Sequence, residues 1–243
     1  RGEPRSLKIG ETFAHILKEF SDVGYDVSWH IENSSHFLPQ YRERVYIVGF
    51  RNNLNIKNFK YELNHPSNVY LNTNSCVGDI LEDGITTEME SITLLESQWN
   101  HIQSPEYVYK TSLWQGKPGS ERKRLVGLDD KSFTLTSGYK NPSNIATKFI
   151  MQQKDGTPLV LPRFYTKREC CRIMGFPEEF VIPGEEKSKK HKKNSSGLEN
   201  RFYHQIGNAV CPPVISSFGI QILIALNINI NEDESENENE SNV

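Results

Sequence analysis

The 243-residue sequence has few cysteines, no long apolar run and no large excess of either charge. Its four cysteines, Cys76, Cys170, Cys171 and Cys211, include no CxxC spacing. That argues against a zinc site and against a disulfide framework, and predicts a reducing compartment with no metal ligand set. No run of apolar residues reaches the roughly 18–20 that a membrane helix needs, and no secretory signal opens the chain, so no membrane partner is expected. Hydrophobic residues make up 36% and charged residues 24%, with 12 Phe, 10 Tyr and 3 Trp. A core can form, which excludes wholesale disorder. The low mean hydropathy of -0.60 has a local cause. Residues 232–243 (EDESENENESNV) carry six acids and no base, and without them the net charge moves from -3 to +3. The sequence opens on Arg1 with no initiator Met, a mid-protein position by its look, and part of a larger protein is expected before it.

Along the chain, Phe13, Ile16, Leu17 and Phe20 follow the i, i+3, i+4, i+7 pattern of a helix over 10–24, with Gly24 suited to its end. Residues 25–32 alternate and are rich in β-formers, so they predict a strand. A polar loop with Pro39 leads to a second strand at 44–50, whose consecutive apolar residues predict burial on both faces. Helix, strand, loop and strand make the end of an α/β sheet, its last two strands antiparallel. Residues 51–155 are Asn-rich and punctuated by Gly and Pro. Strands are expected there near 69–72, 106–114, 123–128 and 132–136, with a helix near 88–97. Residues 166–174 predict a short helix with Thr166 as N-cap, Glu169 closing a capping box and Gly-Phe-Pro ending it. Residues 184–200 hold a basic, Ser/Asn-rich loop. Residues 212–226 predict an apolar helix with proline in its first turn, and 227–243 predict disorder.

Three stretches carry a resemblance: Phe37–Phe50 (FLPQYRERVYIVGF), Arg163–Phe180 (RFYTKRECCRIMGFPEEF) and Arg201–Val214 (RFYHQIGNAVCPPV). They match, in order, the Pro-Gln-x-Arg-x-Arg, T-x-R-E-C-x-R-x-x-G-F-P and Q-x-G-N-[SA]-V blocks of the C5-cytosine methyltransferase family. The resemblance covers residues 1–50 and 155–226, the carboxyl-terminal half of that family. Its Gly-rich cofactor turn, Pro-Cys nucleophile and Glu-Asn-Val segment are absent from these residues. The resemblance implies an α/β fold in two parts. Residues 1–50 and 201–226 would belong to a partial, Rossmann-like sheet of the S-adenosylmethionine-dependent type. Residues 51–200, including the helix at 166–174, would form a smaller, irregular, mostly β target recognition domain. Residues 227–243 would be an acidic tail.

In this family a thiolate adds to C6 of a cytosine taken out of the helix stack, and C5 then accepts a methyl group from S-adenosylmethionine. By resemblance Arg44 points at the extruded cytosine and its carbonyl oxygen, with Arg42 and Gln40 supporting the pocket. A guanidinium is a fixed, always-charged fork. An isolated Arg-x-Arg is otherwise an ordinary solvated pair. The resemblance also sets Gly207, Asn208, Ala209 and Val210 beside the amino-acid end of S-adenosylmethionine, with Gly207 offering backbone angles closed to other residues. The alternative there is a plain turn before a helix. Lys110, Lys117, Arg122, Lys123 and Arg124, interleaved with Tyr109 and Trp114, read as a DNA contact, and Arg163 as a phosphate contact. The lysines of 187–193 read as a solvated loop or a nuclear localisation signal. The Asn-rich composition and the acidic tail point to a eukaryotic nucleus, with the cytoplasm as the alternative for a prokaryotic or tRNA-modifying protein. No cysteine stands as a credible nucleophile, so the chain alone is expected to be inactive. The missing amino-terminal half would lie on the same chain or on a partner. DNA is the expected substrate. The alternatives are tRNA, as in the family's RNA-modifying branch, and a non-catalytic nucleic-acid-binding remnant.

Overall fold

The computed structural model describes residues 10–84, 86–108, 124–151, 153–154, 157–158, 160–183 and 195–228. In chain order the elements are α1 (Glu11–Asp22), β1 (Tyr25–Asn33), β2 (Gln40–Tyr41), β3 (Glu43–Arg51), α2 (Thr87–Ser91), α3 (Glu96–Gln103), β4 (Ser132–Phe133), β5 (Gln153–Lys154), β6 (Thr157–Pro158), α4 (Lys167–Met174), α5 (Ser195–Asn208) and α6 (Pro212–Ala225). The chain divides into two compact units. Among the described residues, unit 1 comprises 10–32, 43–69 and 216–228, and unit 2 comprises 33–42 and those within 70–215. These units depart from the expected boundaries: 33–42 and 201–215 pack in unit 2, and 51–69 in unit 1.

Unit 1 is built on the pair β1–β3. Asn52 N–H donates to Gly24 O at 2.9 Å, and Gly49 lies against Tyr25, so the start of β1 meets the end of β3 and the strands run antiparallel. Alternation puts His30 and Tyr46 on one face. There Phe218 of α6 stacks between Tyr46 (4.7 Å) and Tyr61 (3.8 Å), beside a cavity of about 210 Å³. Tyr61 Oη and Ser217 Oγ share a 2.8 Å hydrogen bond, and Gln221 bonds both backbone groups of Glu62. The other face carries Trp29, met edge-on by Phe13 of α1 at 5.4 Å. Coverage stops there: Ile16, Phe20, Val45 and Ile47 remain exposed, and no residue of α1 is buried. Burial of β3 on both faces is therefore not found.

Unit 2 holds most of the buried apolar side chains, among them Met89, Leu94, Phe149, Ile150, Tyr165, Ile173, Met174 and Tyr203. Its regular structure is chiefly helical, against the mostly β expectation. Among the described residues its strands are two-residue pairs, β2–β4 parallel and β5–β6 antiparallel, with isolated bridges at Thr93, Leu125, Phe149, Ile150 and Arg163. Residues 69–72 form turns, 106–108 are helical, and the rest of 106–114 lies outside the described residues. The expected helix at 88–97 is split into α2 and α3. Leu94 N–H turns away to Pro162 O, and Thr93 bridges Arg163, so a tertiary pairing overrides local helix propensity. Helix α4 forms as its sequence predicts. Thr166 Oγ1 accepts from Glu169 N–H, Glu169 accepts from Thr166 N–H, and Gly175 closes it in the left-handed region (φ 80°). The run Arg201–Ala225 is long and apolar enough to cross a membrane by length and composition, contrary to the sequence expectation. It is interrupted between α5 and α6, and Phe202, Tyr203, Ile206, Cys211, Val214 and Phe218 within it are buried.

Candidate functional site

Gln40 and Arg42 flank Tyr41 at the end of β2, and both are buried. A buried amide and a buried guanidinium must have their polar groups satisfied. Gln40 Oε1 accepts from Leu135 N–H at 2.7 Å, and its Nε2 donates to Ile173 O at 3.1 Å, at the end of α4. Arg42 Nη1 donates to Leu135 O at 2.9 Å, while Nη2 donates to Gly207 O at 3.2 Å and Ala209 O at 2.8 Å. One side chain thus holds two segments far apart in sequence, the loop after β4 and the turn after α5. Gly207 belongs to the same junction. Its φ is not positive, so the expected backbone freedom is not what the site uses. It lies inside α5, against the backbone of Thr136 and Ser137. A Cβ there would come within 2.2 Å of the Thr136 carbonyl carbon. Glycine is required by close approach.

Arg44 differs from its neighbours. It is the second residue of β3 in unit 1, is exposed, and uses one Nη1 contact, 2.7 Å, to the adjacent Glu43 O. Its fork faces solvent. Asn208 and Val210, at the end of α5 and just beyond, are exposed as well, whereas Gly207 is buried and Ala209 half-buried. The following Pro212 and Pro213 have no N–H. An anion at this turn would therefore be met by the Asn208 amide and the backbone before Pro212, not by the first turn of α6.

Two residues read as nucleic-acid contacts are fold-holding instead. Arg163 is 2% exposed and forms a two-pronged pair with Glu169, which is 0% exposed. Nη1 donates to Oε2 at 2.7 Å and Nη2 to Oε1 at 2.8 Å. Glu169 also accepts from Thr166 N–H and Glu82 N–H, so the buried carboxylate is well satisfied. Arg124 donates to the carbonyls of Thr147, Pro142 and Asn144 and to Tyr107 Oη, and lies over the ring of Phe149 at 5.2 Å. Neither guanidinium is presented to a phosphate. Lys110, Lys117, Arg122 and Lys123 lie outside the described residues, as do the lysines of 187–193.

Cys170, Cys171 and Cys211 are buried and Cys76 is half-buried. Burial, and then the charge of Glu169, push the Cys170 thiol well above its usual range, opposite to an activated thiolate. Sequence reading missed Lys131, whose Nζ donates to Leu38 O, Ser75 O and Ser75 Oγ at 2.8–3.1 Å. Burial lowers its pKa. No local pattern marks that role, because every partner comes from another segment.

The same arrangement of elements recurs in solved structures. The Dnmt2 methyltransferase of S. pombe superposes with a TM-score of 0.58 at 21% identity, over 92% of this chain and 65% of that one. The Entamoeba histolytica methyltransferase EhMeth superposes at 0.57 and 17% identity, over 89% and 59%. The fold is that of an α/β methyltransferase. A family model described as C-5 cytosine-specific DNA methylase matches residues 5–223, and the chain belongs to that family. Type II methyltransferase M.MspI of Moraxella sp is 31% identical over 218 residues, 89% of this chain and 43% of that protein. Type II methyltransferase M.DsaV of Dactylococcopsis salina is 33% identical over 181 residues, 72% and 44%. The chain spans about half the length of the curated relatives it matches.

Proposed function

We propose that this chain is the substrate-side portion of a DNA cytosine-5 methyltransferase, which moves a methyl group from S-adenosylmethionine to C5 of cytosine. The observation that carries the reading is the division of labour in the Gln40–Arg44 block. Gln40 and Arg42 are consumed in binding the fold, while Arg44 keeps an exposed fork at the start of β3. A fixed cationic fork suits the cytosine carbonyl oxygen, where negative charge grows when C6 is attacked. Gln40 and Arg42 act as positioning residues. They hold Leu135 and the 207–209 carbonyls in place without touching substrate.

The turn at 207–210 suits the amino-acid end of S-adenosylmethionine. The exposed Asn208 amide can donate to its carboxylate, and Arg42 fixes the carbonyls on either side of Asn208. That cofactor supplies the electrophilic methyl group. Unit 2 is the counterpart of the family's target recognition region, with the short helix α4 as its fixed base. The nucleophile and the remainder of the cofactor site come from an amino-terminal half, on the same chain or a separate one. Supplied with that half from a relative, the chain is expected to place labelled methyl groups in cytosines of duplex DNA. Arg44→Ala should lower kcat about a hundredfold or more, on the scale of lost transition-state donors, with DNA affinity nearly unchanged. Label appearing in tRNA and not in DNA would move the substrate to RNA. Undiminished kcat for Arg44→Ala would remove that residue from the reaction.

A further inference from the structure

The two-residue ladder β2–β4 pairs Gln40 with Ser132 and Tyr41 with Phe133. Side chains alternate across a strand. Gln40 and Ser132 both turn inward and are buried, while Tyr41 and Phe133 both turn outward, 48% and 41% exposed. Their ring centroids are 6.4 Å apart. The backbone beneath them cannot easily rotate. Gln40 is clamped as described, Thr134 Oγ1 donates to Tyr41 O at 2.7 Å, and Ser132 N–H donates to Pro39 O at 2.8 Å. Lys148, itself buried, sets its ammonium 4.3 Å from the Phe133 ring centroid. The surface is thus two neighbouring exposed rings inclined at 57° to each other, with the Lys148 side chain buried beneath one of them.

A partner should offer flat faces to the rings. Nucleobases do, because each base has a π face, and the family to which the chain belongs acts on DNA. We propose that Tyr41 and Phe133 form a stacking platform for nucleobases that lose a stacking neighbour when a cytosine leaves the duplex. This rests on the proposed function, which requires such an extruded base. Neither ring takes part in the chemistry. The platform stabilises the opened duplex.

The test is a fluorescence anisotropy titration of the 243-residue chain with two labelled duplexes, one fully paired and one with a single abasic site. The wild type is expected to bind the abasic duplex more tightly. Tyr41→Ala and Phe133→Ala should each weaken that binding about tenfold, within the range for one lost base–aromatic stack. Tyr41→Leu and Phe133→Leu, apolar but unable to stack, should behave like the alanine variants, and Tyr41→Phe and Phe133→Tyr like the wild type. Because both side chains are exposed, far-UV circular dichroism should match in every variant. Unchanged binding by the double alanine variant overturns the inference and leaves the nucleic-acid reading intact. So does a loss of self-association in that variant, by sedimentation, with DNA binding unaltered. That would assign the rings to a protein contact. A wild-type chain that binds neither duplex overturns the DNA reading, and the platform with it.

Discussion

In unit 2 the buried charges meet partners inside the unit: Arg163 with Glu169, and Arg42 with three carbonyls from two distant segments. In unit 1 the core narrows to one aromatic stack around Phe218, and the apolar face of α1 and β3 stays open. Unit 2 therefore has the means to hold its own shape, by apolar burial and by polar groups that cannot be left unpaired. Unit 1 has fewer. An uncovered apolar face and a two-stranded pair are marginal alone in water. Stability and candidate chemistry are also separated within one sequence block. The residues that hold shape, Gln40 and Arg42, lie in unit 2, and the exposed Arg44 in unit 1.

The largest effect should come from breaking the buried pair of unit 2. Arg163→Ala leaves the Glu169 carboxylate without its main partner and is expected to cost about 3–5 kcal/mol in denaturant unfolding. If Arg163 were a surface phosphate contact, the loss would be under about 0.5 kcal/mol. Next is Gly207→Ala, which must push apart α5 and the Thr136 backbone and should cost about 1–3 kcal/mol. Hydrogen exchange should rise at 134–137, with little change in unit 1.

These two sites show what sequence could and could not tell. The helix α4 was legible because its determinants are local: Thr166, Glu169 and Gly175 all act within one turn of its ends. The importance of Gly207 was legible, but its reason was not. Its neighbour Thr136 is about seventy positions away, and only the folded chain brings them together. Arg163 and Arg124 looked like phosphate contacts because basic side chains are normally exposed, and no sequence rule said which would be buried beside a carboxylate or under carbonyls. The strand expected at 69–72, and the start of the one expected at 106–114, rested on β-propensity, which is context-dependent and yields to packing.

Smaller effects sharpen the contrast further. Cys170 should resist alkylation at pH 8 in the folded chain and react only on unfolding, with Cys76 labelled first. Its raised pKa disfavours the thiolate throughout the ordinary pH range, and burial blocks access. Fast labelling of Cys170 would contradict the packing of α4. Last, hydrogen bonding to Arg172 holds the Glu178 carboxyl below its usual range. That contribution is present above the unfolded carboxylate value and fades as pH falls through the folded one. Because the Glu178 carboxylate is mostly exposed, Glu178→Gln should change stability by under about 1 kcal/mol, and less in high salt.

We propose that this chain carries groups for holding cytosine and DNA, and that the attacking thiolate comes from an amino-terminal half. The most direct measurement is methyl transfer to duplex DNA from labelled S-adenosylmethionine, by the 243-residue chain alone and then with an amino-terminal half that carries a Pro-Cys nucleophile. No label is expected from the chain alone, and labelled cytosine is expected from the pair. Label incorporated by the chain alone, and lost when one of its own four cysteines is changed to serine, would contradict the proposal.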